Sequence, residues 1–469
     1  MIARAWRDES GIALIMALVT LFVLSLTLVT VLDFSAANAR SARFSASDQR
    51  AVSLAESGFN DAAAILMSAP DPSLSSALPG TPTGTAPREG GTVVYSGTKS
   101  GNLWTITATS SVPNPTGGSP LTHTVSGQVQ VTPSDPLASN LAWNYVFSDT
   151  TTSCMQIQNS YSLAAPLYVR GNLCMSGNNT FTGALLDVRG SVQVRDPSNI
   201  GSAGSPIPKV RVANGCRAGT SGSFVTPCGT AQRVYTSSFE AVPPDISKPP
   251  IDIARWYEEA KPGPKHYCTS GTFPGGSSKF DPDNGTAQDW DAGTINLTGS
   301  NYSCAVYGGV VLKGLIAYNS GILSIFGTIF FDGDISLGGN QDILYTGRGV
   351  IYARNVTIRN HTTLCGVTSC NQTTWDPATN LLLLVAGGAG ATAYTLENNT
   401  RFQGAIYAVG GSSLQNSSEH QGPIITDSVS VQNNGNLYSW PPLTDLLIGM
   451  PQFTPAPPSA AYIPGSWRG

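Results

Sequence analysis

Charged residues are scarce in this chain of 469 residues: Asp, Glu, Lys and Arg make up 12% of it, about half of the roughly 25% found in typical globular domains. The formal net charge is −4, and no block of like charges occurs. We therefore expect no nucleic-acid partner, because phosphate contacts require a basic patch. Disorder is not expected either, since 41% of the residues are apolar and can form a core.

Recognisable catalytic and metal-binding motifs are also missing. Asp332 and Asp334 are two residues apart, so on a strand both side chains lie on one face, as the two carboxylates of a glycoside hydrolase must. No third acid or basic partner lies near them in the sequence, so we interpret them as a polar corner. The acidic segment 281–291 places Gly285 at the fifth position, whereas an EF-hand calcium loop needs glycine at the sixth. We predict no cofactor, no metal and no enzymatic activity. The four histidines are interpreted as surface residues: His123, His266, His361 and His420.

One uncharged apolar run, residues 12–32, stands apart from the rest of the chain. A helix rises about 1.5 Å per residue, so this run can span a hydrocarbon core of about 30 Å. Arg4 and Arg7 precede it, which favours a cytoplasmic N-terminus. The helical pattern continues to residue 67, because apolar residues recur there at steps of seven, four and three. These residues are Phe44, Ala51, Ala55, Phe59, Ala62 and Leu66.

Three interpretations of this helix compete. Ala37-Asn38-Ala39 could mark the cleavage site of a secretory signal peptide, but the apolar run is longer than such peptides use. A plain membrane anchor is the second interpretation. The third depends on the junction, where a short polar leader ends at Gly11 and the apolar helix begins at Ile12. This junction resembles the class III signal of type IV pilins and pseudopilins, and Ala-Glu-Ser-Gly-Phe at 55–59 resembles PilX-like minor pilins.

The resemblance implies that a prepilin peptidase cuts after Gly11 and methylates Ile12. It also implies that other pilin subunits pack against the helix. Major pilins carry phenylalanine at the first mature position and glutamate at the fifth, where this chain has Ile12 and Met16. The missing glutamate resembles minor subunits at a filament tip.

The sequence then predicts a linker at 68–89 and a small antiparallel meander at 90–136. The linker is rich in Pro, Ser, Gly and Thr. Three runs that alternate apolar with polar residues follow it, at Thr92–Ser96, Leu103–Ser110 and Thr122–Val131. The meander resembles the one that often follows a PilX-like helix.

Short apolar runs repeat from residue 137 to residue 440. Leu167-Tyr-Val-Arg-Gly171 returns 19 residues later as Leu186-Asp-Val-Arg-Gly190, and Gly349-Val-Ile-Tyr-Ala353 recurs as Gly404-Ala-Ile-Tyr-Ala408. Periods near 20 residues favour a parallel β-helix, with a β-sandwich as the alternative. An irregular insert is predicted at 216–304, with a short helix at 251–261, and a proline-rich tail at 441–469. The predicted corners are Asn178-Asn179, Asn340, Asn398-Asn399 and Asn433-Asn434.

A second resemblance covers residues 300–440. Phe402–Ala408, Gly422–Val431 and Asn433–Tyr438 resemble a β-solenoid domain of unknown function that follows pilin-like N-termini in bacterial surface proteins. It implies a fold and a location, and no activity.

The eight cysteines all follow the membrane segment, and none forms a C-x-x-C pair. An even number in an exported body predicts four disulfides, and pairing in sequential order is the simplest of the 105 possibilities. The eight are Cys154, Cys174, Cys216, Cys228, Cys268, Cys304, Cys365 and Cys370.

These observations favour a mainly β protein with a long N-terminal helix, a small meander and a β-solenoid head. The predicted function is structural: a minor pilin-like subunit at the tip of a type IV pilus or related filament, whose head could bind surface glycans or host ligands. The predicted location is the cytoplasmic membrane, crossed once, with the body outside. The alternatives are a surface-anchored β-helix enzyme acting on polysaccharide and an anchored adhesin with no role in assembly.

Overall fold

The computed structural model describes residues 6–80, 90–135, 137–261, 285–290, 293–297, 300–454 and 457–469, with side chains from residue 12 onward. The chain forms two compact units. The first, which we call the helix–sheet unit, comprises Met1–Ser134 and Ala456–Gly469. The second, the solenoid unit, comprises Asp135–Pro455.

The helix–sheet unit consists of one helix, Trp6–Ser68, and a four-stranded antiparallel sheet. In the order in which they pair, the strands are Thr92–Ser100, Leu103–Val112, Leu121–Thr132 and Ser459–Tyr462. The predicted helix and meander are therefore present. The end of the chain, which we expected to be an extended tail, supplies the fourth strand, with Tyr462 opposite Val129.

The sheet packs against the second half of the helix. Alternate residues of Leu103–Val112 are buried, and their side chains meet the helix face predicted from the sequence. On that face Ala51, Ala55, Phe59, Ala62 and Leu66 are buried, whereas Phe44 is 40% exposed.

The solenoid unit is a parallel β-helix with three strand ladders, and the alternative of a β-sandwich is wrong. The first ladder contains Ile322–Phe330, Asp342–Ala353, Leu381–Ala386, Ala405–Ala408, Ile424–Thr426, Val146–Ser148, Leu167–Val169, Leu185–Val188, Lys209–Val212 and Phe239–Glu240. The second contains Thr294–Leu297, Asp334–Leu337, Val356–Ile358, Tyr394–Leu396, Gly411–Leu414, Ser428–Val431, Cys154–Gln158, Asn172–Ser176, Val192–Val194 and Cys216–Ala218. The third contains Thr363–Cys365, Arg401–Gln403, Glu419–Gln421, Asn436–Tyr438, Ser162–Leu163, Thr180–Phe181 and Asn199–Ile200.

Two antiparallel strands, Tyr302–Gly308 and Val311–Asn319, extend the first ladder beyond Ile322–Phe330. The short helix is Ile253–Ala260, inside the segment predicted to be helical, and Asp252 caps its N-terminus. Among its described residues, the unit also contains three 3-10 turns: Leu141–Asn144, Thr230–Gln232 and Thr368–Cys370.

The chain enters the solenoid in the middle of its axis. The first strand, Val146–Ser148, pairs in parallel with Ile424–Thr426, near the end of the unit. Coils stack outward from residue 146 to 240, and the chain then crosses to the opposite end and winds back from residue 294. The predicted insert therefore began too early, because Cys216–Ala218 and Phe239–Glu240 are still solenoid strands.

The predicted corners hold residues in the left-handed backbone region. Asn178, Asn340, Asn399 and Asn434 have φ between 54° and 59°. Asparagine adopts this conformation more readily than most residues with a Cβ. All four lie in turns between solenoid strands, as predicted.

Two segments cover the outer side of the first ladder. We call residues 241–261 the crossover strap and residues 440–454 the C-terminal strap. Under the crossover strap, the Tyr168 hydroxyl donates to the carbonyl oxygen of Pro244 at 2.9 Å and the Tyr407 hydroxyl to that of Pro249 at 2.6 Å. Under the C-terminal strap, the Tyr352 hydroxyl donates to the carbonyl oxygen of Gly449 at 2.6 Å. The first ladder is therefore covered on both faces where the straps cross it.

Candidate assembly helix and solenoid surface

The first half of the long helix has an exposed apolar surface on every side. Large apolar residues from Ile12 to Phe34 are exposed, Ile12 by 63% and Met16 by 61%. The helix from residue 12 is long and apolar enough to cross a membrane by length and composition. An exposed apolar surface of this size requires lipid or other helices to cover it.

The hydroxyl groups within this apolar half are satisfied by the helix itself. Thr20 donates to the carbonyl oxygen of Met16 at 2.6 Å, Ser25 to that of Phe22 at 2.8 Å, and Thr27 to that of Leu24 at 2.9 Å. Such bonds remove the penalty of placing a hydroxyl in hydrocarbon. The helix is therefore suited to an environment without water.

The residues of the predicted cleavage site lie within this helix. The backbone of Gly11 is helical, and the helix continues through Ile12 and Met16 without interruption. Four small residues follow on the exposed part of the helix: Ala36, Ala37, Ala39 and Ala42. The geometry is compatible with close packing of a neighbouring helix against this part.

The structure corrects the interpretation of the histidines. His420 is buried, with 1% of its surface exposed, and its ring lies 5.4 Å from that of Phe402. His123 Nε2 lies 2.8 Å from Asp48 Oδ1, on the long helix. His361 is exposed as expected, whereas His266 lies outside the described residues.

The two candidate catalytic acids have different surroundings, and the expectation that no basic partner lies nearby is wrong. Asp334 forms a bidentate pair with Arg354, at 2.8 Å from Nε and 2.6 Å from Nη2. Asn355 Nδ2 donates to the same carboxylate at 2.8 Å. Asp332 is buried with 0% of its surface exposed. The negative charge of Asp334 is thus balanced by Arg354, as expected for a carboxylate that links two coils.

The acidic segment 281–291, which does not fit the EF-hand pattern, lies partly outside the described residues, which include only 285–290 of it. Within the described part of the chain, no group of three or more His, Cys, Asp or Glu side chains could hold a metal ion.

Three disulfides join cysteines that are neighbours in the sequence. Cys154–Cys174 links adjacent coils of the second ladder, with a Cα–Cα distance of 5.8 Å. Cys216–Cys228 and Cys365–Cys370 close shorter loops, each with a Cα–Cα distance of 5.3 Å. Cys304 is also disulfide-bonded, and Cys268 lies outside the described residues. The three pairs are those that sequential pairing predicts.

Sequence reasoning missed a polar groove on the outer side of the second ladder. The groove has a volume of about 530 Å³, and hydroxyl side chains from three successive strands form its floor: Ser336, Thr357 and Thr395. Arg359 and Glu397 also line it. The parallel register of three successive coils brings these residues together.

Among solved structures, the chain resembles a pilin at low sequence identity. No protein-family model and no curated protein matches the chain. The crystal structure of the competence-associated pilin ComZ from Thermus thermophilus is similar with a TM-score of 0.41 and 13% sequence identity. The similarity covers 89% of this chain and 98% of that one.

Proposed function

We propose that this chain is a pilin-like structural subunit of a type IV pilus or related filament. The observation that carries the proposal is the division of one continuous helix, Trp6–Ser68, into an exposed apolar half and a half that packs on an antiparallel sheet. Burial of one large apolar side chain contributes about 1.5–3 kcal/mol. The many exposed apolar residues in the first half therefore strongly favour insertion into lipid before assembly and helix packing afterwards.

The proposed topology has the N-terminus in the cytoplasm and both compact units outside. Arg4 and Arg7 precede the apolar run, which favours this orientation. The disulfides of the solenoid unit support it, because structural disulfides persist in oxidising compartments.

Processing by a prepilin peptidase is part of the proposal, with cleavage after Gly11 and methylation of Ile12. Mass spectrometry of the N-terminus in membrane fractions tests it, and we expect a methylated chain beginning at Ile12. A Gly11→Val variant should keep the leader. A start at Arg40 would instead indicate an ordinary signal peptide, and an uncut chain would indicate a plain anchor.

The proposed position is a filament tip, at low copy number, and Met16 is the reason. An unpaired charge costs several kcal/mol in lipid, so a packed helix needs a carboxylate to neutralise the N-terminal amine of its neighbour. Met16 has no charge to offer. This subunit could give its amine to a neighbour's glutamate, but it could not neutralise the amine of another subunit.

Immunogold labelling of sheared filaments tests the tip position. We expect label at filament ends only. Met16→Glu supplies the missing carboxylate and should increase the amount of incorporated subunit, while Met16→Gln, of similar size but uncharged, should not. Label along the whole shaft of wild-type filaments would contradict the tip position. Absence from filaments would favour an anchored adhesin or a surface enzyme.

A further inference from the structure

The outer face of the second ladder carries a row of polar side chains in exact strand register. One residue from each strand belongs to the row, and neighbouring members are opposite each other in the parallel pairing. Adjacent strands lie about 4.8 Å apart, so the polar groups repeat at that interval along the solenoid axis. The row contains Asn296, Ser336, Thr357, Thr395, Ser413, Ser430 and Gln156.

The polar groove of about 530 Å³ follows part of this row. The hydroxyls of Ser336, Thr357 and Thr395 form its floor, and none of the three has a hydrogen-bond partner among the described residues. Threonine side chains on a strand have restricted χ1 angles, so little conformational entropy is lost when they bind a ligand. The groove thus presents free, preorganised hydrogen-bonding groups.

A cleft of similar volume lies between the two straps, but its polar groups already have hydrogen-bond partners within the protein. That cleft has a volume of about 550 Å³. Asp252 accepts a hydrogen bond from the Arg255 backbone, Arg255 Nε donates to Glu259 at 3.2 Å, and the Tyr352 hydroxyl donates to Gly449. The groove on the second ladder is therefore the better candidate for a binding site.

The charges beside the groove indicate a neutral ligand. Asp334 is paired with Arg354, and Glu397 accepts a hydrogen bond from the Asn360 backbone at 2.8 Å. The side chains of Arg359 and Glu397 oppose each other in sign, so the groove has no excess of positive charge for an acidic polymer.

We propose that this groove binds a neutral, unbranched polysaccharide strand that lies along the solenoid axis. The hydroxyls of such a strand can donate to and accept from Ser336, Thr357 and Thr395 at each successive coil. The groove is open at the surface and continues the polar row, which suits a polymer better than a small molecule. The inference rests on the proposed function only in placing the head outside the cell.

Isothermal titration calorimetry on the full chain in detergent micelles tests the inference. The probes are hexamers of β-1,4-linked glucose, N-acetylglucosamine and mannose, with the three monosaccharides and hexagalacturonate for comparison. We expect at least one neutral hexamer to bind, more tightly than its monosaccharide and than hexagalacturonate. Failure of all three neutral hexamers, or tighter binding of hexagalacturonate, would overturn the inference.

A matched pair of variants tests the location of the site. Thr357→Val removes one hydroxyl from the groove floor while it keeps the shape of the side chain, and should weaken binding of the hexamer about five- to tenfold. Thr363→Val makes the same change on the third ladder and should leave affinity unchanged. Equal affinity of the two variants would overturn the assignment. If the two variants bind the hexamer equally while Thr357→Val still labels filament ends, the groove assignment fails and the proposed function is unaffected.

Discussion

At the scale of single residues, His420 shows how burial fixes a charge state. Its Nε2 atom lies 3.0 Å from the carbonyl oxygen of Gly422, and its ring packs beside Phe402. Burial lowers the pKa of His420 to about 3, which the hydrogen bond to Gly422 offsets only in part. The imidazole is therefore neutral in the folded protein at every pH at which a surface histidine would titrate.

This burial predicts that acid destabilises the solenoid unit through His420. Between about pH 6.5 and pH 3 the unfolded chain binds a proton at this residue and the folded chain does not. The free energy of unfolding should therefore decrease by about 1.4 kcal/mol for each pH unit in that window. Urea unfolding at pH 7 and pH 5, followed by tryptophan fluorescence, measures the change in wild type and in His420→Gln. An equal loss in both proteins would show that His420 is not responsible.

Gly422 illustrates a second constraint on single residues, imposed by the stacking of coils. Its φ is 137°, and a Cβ atom at this position would lie 1.9 Å from the carbonyl oxygen of Gly404, in the coil below. Gly404, in the recurring Gly-x-Ile-Tyr-Ala motif, is similarly confined by the carbonyl oxygen of Leu382 at 2.5 Å. No side-chain rotation can relieve a clash with backbone.

We therefore expect Gly422→Ala to lower the free energy of unfolding by about 3 kcal/mol or more, because strain at the left-handed φ adds to the clash. Gly204→Ala is the matched control, since its Cβ would meet no atom within 4 Å. Urea denaturation of both variants compares them. A loss at Gly204 as large as that at Gly422 would contradict the explanation.

At the scale of elements, a partly buried cation helps to hold the crossover strap in place. Lys248 Nζ donates to the carbonyl oxygens of Ala408 and Val409 at 2.8 and 2.9 Å, and to Asp427 Oδ1 at 2.6 Å. Burial lowers the pKa of Lys248, and the bond to Asp427 opposes that effect. A lysine in an otherwise irregular insert gives no sign of this role in the sequence.

The disulfides, which join neighbouring elements, lead to a prediction for the exported protein. We expect all eight cysteines to be oxidised in it. Replacing Cys154 and Cys174 together by alanine should lower the free energy of unfolding by about 2–4 kcal/mol, since the bond closes a loop across two coils. Non-reducing peptide mapping and urea denaturation are the measurements. Several free thiols in the exported protein would contradict the proposed location.

At the scale of the whole molecule, the solenoid is joined in its middle. Its first coil and its last coil stack on each other, so both sequence ends of the unit lie at the centre of the axis. Asn140 and Phe453, close to those ends, exchange two hydrogen bonds of 2.6 and 3.2 Å. The outermost coils instead come from the interior of the sequence.

This arrangement predicts the order of local opening. Coils with a neighbour on both sides should open last, and coils at the ends of the stack should open first. Hydrogen exchange, read by mass spectrometry of peptides, should be slowest at Val146–Ser148 and Ile424–Thr426 and faster at Cys216–Ala218 and Thr294–Leu297. The reverse order would show that the joint between the first and last coils is a weak point.

The sequence by itself determined the elements whose signals are local. Unbroken apolar and amphipathic periodicity predicted the long helix, a period near 20 residues predicted the solenoid, and asparagines in the left-handed region mark its corners. Each of these follows from backbone geometry within one turn or one coil. The processing site at Gly11 and the tip position remain predictions from the sequence.

Only the tertiary structure decided the features that depend on pairing between distant segments. The order of coils along the axis and the fourth strand at Ser459–Tyr462 arise when strands from remote parts of the chain pair, in parallel in the solenoid and antiparallel in the small sheet. The hydroxyl row through Thr357 arises from the register between successive coils. The partner of Asp334, 20 residues away in Arg354, and the burial of His420 have the same origin. The sequence repeat predicts that the coils stack, but it does not predict their order, because every coil has two similar edges. The stacking energy summed over the whole unit selects which coils become neighbours.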